Sequence, residues 1–282
     1  MKLIKNCFRL AAIILFSAQA FSNDTSKILA TSALSSIEGS AGGGIVPWAV
    51  IGGYGSTGEW SVAASSSQVN VEDFKLSTHS LLGSYNNRLE LSYAQQALQV
   101  LPLNTAIVQN IFGAKARLAG DLIYQDWPQV SAGFQYKINE NPSIAIDVLG
   151  AQSDRSTDYY ITASKLWLHA LAERNLLLNA TLRYTDANQT GLLGFGQGSE
   201  SQYRWVGEVS AGLFLNHQWA IGGEFRQQPN KLASVDESHW WDLYSAWFPN
   251  KRVAVVAAYV DLGTVALWEE QRGMYLSIQI TH

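Results

Sequence analysis

The sequence predicts an all-β protein, a single antiparallel transmembrane β-barrel of about fourteen strands, with twelve as the alternative count. Three observations predict it. Apolar and polar residues alternate with period two along most of the chain, apolar faces often end in aromatics, and short connections alternate with long ones. Successive side chains of a strand point to opposite faces, so such alternation marks a sheet with one apolar and one polar surface. A half-buried sandwich alternates too. The aromatic ends and uneven connections favour a barrel with an outward apolar band, short periplasmic turns and longer external loops.

At the N-terminus, MKLIKNCFRLAAIILFSAQAFSN joins a basic stretch to the apolar run Leu10–Phe16 and the small residues Ala18-Gln19-Ala20. This is the pattern of a secretory signal cleaved after Ala20 or Ser22, because the run is too short to span about 30 Å as a helix. Residues 1–22 are therefore expected to be removed and residues 23–282 to form the barrel. The single cysteine, Cys7, lies in the leader, so the remainder holds no thiol, disulfide or cysteine metal site. Losing Lys2, Lys5 and Arg9 moves the formal charge from −4 to −7, which argues against a nucleic-acid partner. The longest later apolar run, Val253–Val260, has strand rather than helix length. The expected location is the outer membrane of a Gram-negative bacterium after Sec-type export. Expected partners are outer-membrane lipids and, during biogenesis, periplasmic chaperones and the barrel insertion machinery.

Ser36–Ala41 supplies the first of the fourteen strands, an even number that places both termini in the periplasm. Next, His79 is read as inward with Lys75, Ser77 and Gly83. Val130, Ala132, Phe134 and Tyr136 oppose Ser131, Gly133, Gln135 and Lys137. Lys165 falls on the apolar side of the Asp158–Leu168 strand, an exception to the pattern. Leu176, Leu178, Ala180, Leu182 and Tyr184 oppose Leu177, Asn179, Thr181, Arg183 and Thr185. Tyr203, Trp205 and Val209 oppose Arg204, Glu208 and Ser210, and Trp219, Ile221 and Phe225 oppose Ala220, Glu224 and Arg226. The hairpin Asp236–Gly263 puts Trp241 and Trp247 on one face and turns at Phe248–Lys251; its second strand is apolar on both faces. Met274, Leu276, Ile278 and Ile280 close the series opposite Tyr275, Ser277, Gln279 and Thr281. Trp205, Trp219, Phe225, Trp241 and Trp247 form the expected aromatic belt.

The polar faces carry the functional information. The expected lumen lining includes Lys115, Arg117, Lys137, Arg183, Arg204, Glu208, Glu224 and Arg226. With Lys75, Glu90 and Asp242 added, seven basic and four acidic side chains face inward. Charges are ordinary in a hydrated channel or a paired network and very costly in a dry core. The surplus of positive charge, with Lys115, Arg117 and Arg183 unpaired, implies a porin-like passive channel for small hydrophilic solutes with weak anion preference. The alternative is a self-neutralising interior that braces a non-conducting structural or assembly barrel.

A third class, an outer-leaflet hydrolase, would centre on Ser238 and His239 with Asp236, Glu237 and Asp242. A nucleophile and its base must lie within hydrogen-bond reach, whereas strand neighbours point apart, so no catalytic residue is assigned. No His, Asp and Glu spacing matches a metal site, and no cofactor motif is present. The glycine-rich GSAGGG (Gly39–Gly44) and GLLGFGQG (Gly191–Gly198) lack the strand-to-helix setting of a phosphate cradle. The first suits close packing and bending, the second an external loop.

Several stretches carry a family resemblance: IEGSAGGGIVPWAVIGGYG (Ile37–Gly55), FGAKARLAGD (Phe112–Asp121), ANQTGLLGFG (Ala187–Gly196), PNKRVAVVAAYVDLG (Pro249–Gly263) and QRGMYLSIQ (Gln271–Gln279). In this order they resemble the Gram-negative outer-membrane proteins of domain of unknown function 3034. The resemblance implies a β-barrel and brings no substrate or reaction with it.

Overall fold

The computed structural model describes residues 27–197, 202–231 and 237–282, so the expected leader with Cys7, and Asp236, lie outside the described residues. Two short strands, β1 (Leu34–Ser35) and β2 (Ala41–Gly42), form a small hairpin. Twelve further strands close a barrel: β3 (Trp60–Val71), β4 (Phe74–Tyr85), β5 (Leu89–Val100), β6 (Thr105–Ala119), β7 (Gln129–Asn139), β8 (Arg155–Leu171), β9 (Arg174–Thr185), β10 (Arg204–Phe214), β11 (Trp219–Arg226), β12 (Trp240–Asn250), β13 (Val253–Asp261) and β14 (Arg272–Thr281). Each pairs antiparallel with its chain neighbours, and β14 closes on β3 from Gly273↔Val71 to Thr281↔Ala63. Closure leaves no open sheet edge.

The count is thus twelve, the alternative expected above, and not fourteen. Ser36–Ala41 is not a wall strand. It belongs to a segment that folds inside the barrel, where residues 32–55 are buried throughout. The sequence pattern there is compatible with a strand, but β14 already pairs with β3 and no wall position is left for it.

One end of the barrel carries the short turns 86–88, 172–173, 215–218 and 251–252, and the other carries the links 140–154, 186–203, 227–239 and 262–271. Three links break the rule, the nine-residue link 120–128 at the first end and the short links 72–73 and 101–104 at the second. Asn86 and Asn87 take left-handed φ of 57° and 49°, the conformation a tight hairpin turn requires and asparagine tolerates. β12 runs through Pro249 to Asn250, so the turn falls at 251–252, two residues beyond the expected Pro249-Asn250, and Asn250 Oδ1 accepts from the amides of Arg252 and Val253 at 2.8 and 3.0 Å.

The alternation holds where the sequence displayed it. On β14, Leu276 and Ile278 are about half exposed while Tyr275 and Gln279 are buried. β4 is a correction: Lys75 and His79 point outward, and Phe74, Leu76 and Leu82 point in. The apolar residues on its inner face meet what fills the lumen: Phe74 and Leu76 pack with Leu192 and Leu193, Phe74 meets Trp268 edge-on at 5.5 Å, and Leu82 lies against Gly52 of the segment inside. The same cause explains β13, whose inward Ala254, Val256, Ala258 and Val260 are buried. Near Val256, a cavity of only about 20 Å³ separates the wall from Ala33, Leu34 and Trp48. Lys165 does face outward, and its ammonium donates to the carbonyls of Ile123 and Gln125 in the link 120–128, which satisfies the charge locally.

Candidate functional site

The lumen holds the candidate site, and the chain itself fills it. Residues 27–59 enter from the short-turn end, rise as an irregular hairpin and return to β3. Such backbone cannot remain buried unless its amides and carbonyls find partners. The wall supplies them. Glu90 accepts from the amides of Ala41 and Gly52 at 2.9 and 2.8 Å, and Glu224 from that of Ile45 at 2.7 Å. Ser164 Oγ accepts from the Ala49 amide at 2.8 Å, while Gln129 and Ser131 both donate to the Ala49 carbonyl at 2.6 Å. Thr181 Oγ1 donates to the Pro47 carbonyl at 2.8 Å and Gln96 to that of Ile37 at 2.8 Å. Glycine at position 43 lets the Glu224 carboxylate come close, since a methyl group there would overlap it unless the carboxylate moved.

The tip of the segment carries Glu38 into a ring of wall charges. Its carboxylate lies 2.5 Å from Lys137 Nζ, 2.8 Å from Arg226 Nη1 and 3.1 Å from Arg183 Nη2. Lys137 also meets Asp158 at 2.7 Å, and Arg183 meets Asp158 at 3.2 Å and Glu208 at 2.5 Å. Without Glu38 the wall would present three cations to two carboxylates. With it, three face three, and each of the six is nearly fully buried. A second buried pair, Lys115–Glu90 at 3.1 Å, grips the segment lower down, its ammonium donating to the carbonyls of Ala41 and Trp48 at 2.9 and 3.1 Å.

The opposite end is closed by the link that follows β9. Its Leu192, Leu193 and Phe195 are buried, packed inward rather than extended as an external loop. Lys137 joins the two closures, because the ammonium that binds Glu38 also donates to the Thr190 carbonyl at 3.0 Å. Asn139 donates to the Leu192 carbonyl at 2.9 Å, and Glu237 accepts from the Gln189 amide at 2.8 Å. A second cavity, between Leu192, Leu193 and the wall at Val71 and Trp240, is also about 20 Å³, room for about one water.

Of the residues expected to line the lumen, the structure places Lys115, Lys137, Arg183, Glu208, Glu224 and Arg226 inside. Arg117 lies at the short-turn end, bound to Asp121 at 2.9 Å and to the Gly120 carbonyl. Arg204 is exposed at the long-loop end, donating to the Pro229 carbonyl at 3.3 Å. Lys115, Arg117 and Arg183 are therefore all paired, contrary to expectation. The inward wall charges are four basic (Lys115, Lys137, Arg183, Arg226) and five acidic (Glu90, Asp158, Glu208, Glu224, Asp242), so the positive surplus disappears. Sequence reasoning missed Asp158, although its parity with Thr162 and Ser164 marks it as inward. It also missed Glu38, for which no signal existed once that stretch had been read as wall.

Trp205, Trp219, Phe225, Trp241 and Trp247 all point outward, between 37% and 61% exposed. Trp219 and Trp247 stack at 5.9 Å near the short-turn end, while Trp205 packs on Tyr184 at 4.8 Å near the other. His239 is not set against Ser238. Its Nδ1 accepts from the Gln228 amide at 3.2 Å and its ring meets Phe225 edge-on at 5.6 Å. Among the described residues no three His, Asp or Glu side chains lie close enough to hold a metal.

Among solved structures, the chain is similar to the KdgM porin at 11% identity and a TM-score of 0.49, covering 77% of this chain and 98% of that one. It is also similar to the outer membrane protein Omp33 of Acinetobacter baumannii (12%, 0.47, covering 79% and 99%) and to the NanC porin (10%, 0.47, covering 78% and 98%). None of the curated proteins matches the chain. The family defined as protein of unknown function DUF3034 matches residues 31–279, nearly the whole described barrel, and the chain belongs to that family.

Proposed function

We propose that this protein is an outer-membrane β-barrel held shut by its own N-terminal segment, passing small hydrophilic solutes only when that segment leaves the lumen. The membrane assignment is supported by the outward face, where Leu243 is 61% and Leu276 53% exposed. Such residues belong in a hydrocarbon band. The closed state is supported above all by Glu38, which completes the charge ring formed by the wall. Removing one partner from a buried ionic network costs several kcal/mol, so the segment is firmly seated.

The static brace differs from this reading only in whether the segment ever moves. One observation favours movement: once vacated, the wall from β7 to β9 would present charged, amide and hydroxyl side chains suited to water, such as Gln135, Lys137, Ser164, Thr181 and Arg183. Anion preference is not part of the proposal, because the inward wall charges are nearly balanced. The test is planar-bilayer recording with the full chain and with a variant lacking residues 27–55. The full chain should be silent and the variant should conduct. Steady conductance by the full chain would refute the closed state, and folding without detergent would refute the membrane assignment.

A further inference from the structure

The outward face of the barrel is not uniform. On β12–β14 it is apolar, with Leu243, Tyr259, Met274, Leu276 and Ile278 exposed. On β3–β6 the half nearer the long loops is polar, presenting Gln68, Asn70, Lys75, His79, Gln95 and Asn110. The change falls between paired neighbours: Leu276 faces Gln68, and Met274 faces Asn70. The polar set then continues across the sheet, His79 opposite Gln95 and Gln95 opposite Asn110. Adjacent strands lie about 5 Å apart, so depth in a membrane does not account for so abrupt a change. On the same strands the other half is apolar, with Trp60, Leu81 and Leu91 exposed.

Polar side chains set against acyl chains lose hydrogen bonds to water and gain none in return. Asn110 is provided for, accepting from Tyr93 Oη at 2.9 Å and Gln95 Nε2 at 3.2 Å and donating to Glu140 at 2.5 Å. Gln68, Lys75 and His79 form no side-chain hydrogen bond among the described residues. We propose that a second copy of this chain covers this face. Charge selects the occupant. Lys75 is the single formal cation of the patch, while Glu140, bonded to Asn110, and Glu72 and Asp73 in the turn before β4 carry negative charge. A phosphate-bearing lipid headgroup needs clustered cations, which this face lacks. Amides carry both donors and acceptors, so copies related by symmetry satisfy one another.

This inference rests on the membrane assignment and not on the closed lumen. Native mass spectrometry of the full chain in lipid nanodiscs should give a multimer. Combining Gln68→Leu, His79→Leu and Gln95→Leu should reduce it to the single-chain mass while heat-modifiable gel migration persists. A second arm does not depend on those variants folding. A benzophenone label on Gln95→Cys should give a product of two copies on illumination, and the same label on Leu243→Cys, on the apolar face, should give at least tenfold less. A single-chain mass for the unmodified protein overturns the inference. So does a Gln95→Cys product that contains only lipid or a different protein. Folding without detergent would instead mark failure of the membrane assignment.

Discussion

Glu38→Gln separates a seated segment from an incidental one. The substitution keeps size and one acceptor oxygen but removes the charge that balances Lys137, Arg183 and Arg226, leaving three cations against Asp158 and Glu208. Deleting one partner of a buried ion pair costs about 3–5 kcal/mol, and the retained amide places this case near the lower bound. At 1.4 kcal/mol per tenfold, about 3 kcal/mol raises the ratio of released to seated segment roughly 10²-fold. Amide hydrogen exchange reads that ratio directly, because the amides of Ala41, Ile45, Ala49 and Gly52 are held by Glu90, Glu224 and Ser164 and exchange only on release. These four should exchange roughly 10²-fold faster in the variant, with β9 and β14 unchanged. Glu59→Gln, which alters a carboxylate bound to Ser56 at the rim, should leave them unaffected. A Glu38→Gln variant whose four amides exchange as slowly as before, or whose wall strands loosen to the same degree, would rule out Glu38 as the anchor of the segment.

Other outcomes follow from the same contacts. Gly43→Ala should loosen the segment without unfolding the barrel, seen as faster exchange at Ile45 with normal heat-modifiable migration, because the added methyl meets the Glu224 carboxylate. Lys115→Met should lower barrel stability by about 3–5 kcal/mol in a urea titration, since it strands the buried Glu90 without its cation. Phe195→Ala should cost about 3 kcal/mol locally and admit protease to the link after β9, because this side chain is fully buried in the long-loop end. The variant lacking residues 27–55 should give a reversal potential near zero or slightly cation-selective across a salt gradient. A clear anion preference would contradict the balance of wall charges found here.

The sequence by itself determined the class of fold, and it did so through strand geometry. Because side chains alternate across a strand, the faces of β9, β11 and β14 could be read directly, as could the outward tryptophans of β12. Turn chemistry likewise marked Asn86-Asn87. The contents of the lumen were decided only in three dimensions. A backbone such as Ser36–Ala41 can satisfy its polar groups through a strand ladder or through side chains scattered across the wall. Local sequence does not distinguish the two, because Glu90, Gln96, Glu224 and Gln279 come from strands far along the chain. The same ambiguity concealed the orientation of β4. Phe74, Leu76 and Leu82 suit lipid as well as they suit a packed interior, and only the chain folded into the lumen, the links at Leu192 and Trp268 and the segment at Gly52, makes the inward side their place. Charge pairing was hidden for the same reason. Lys115 and Arg183 look unpaired along the chain, and their partners become visible only when the barrel closes around residues 27–59.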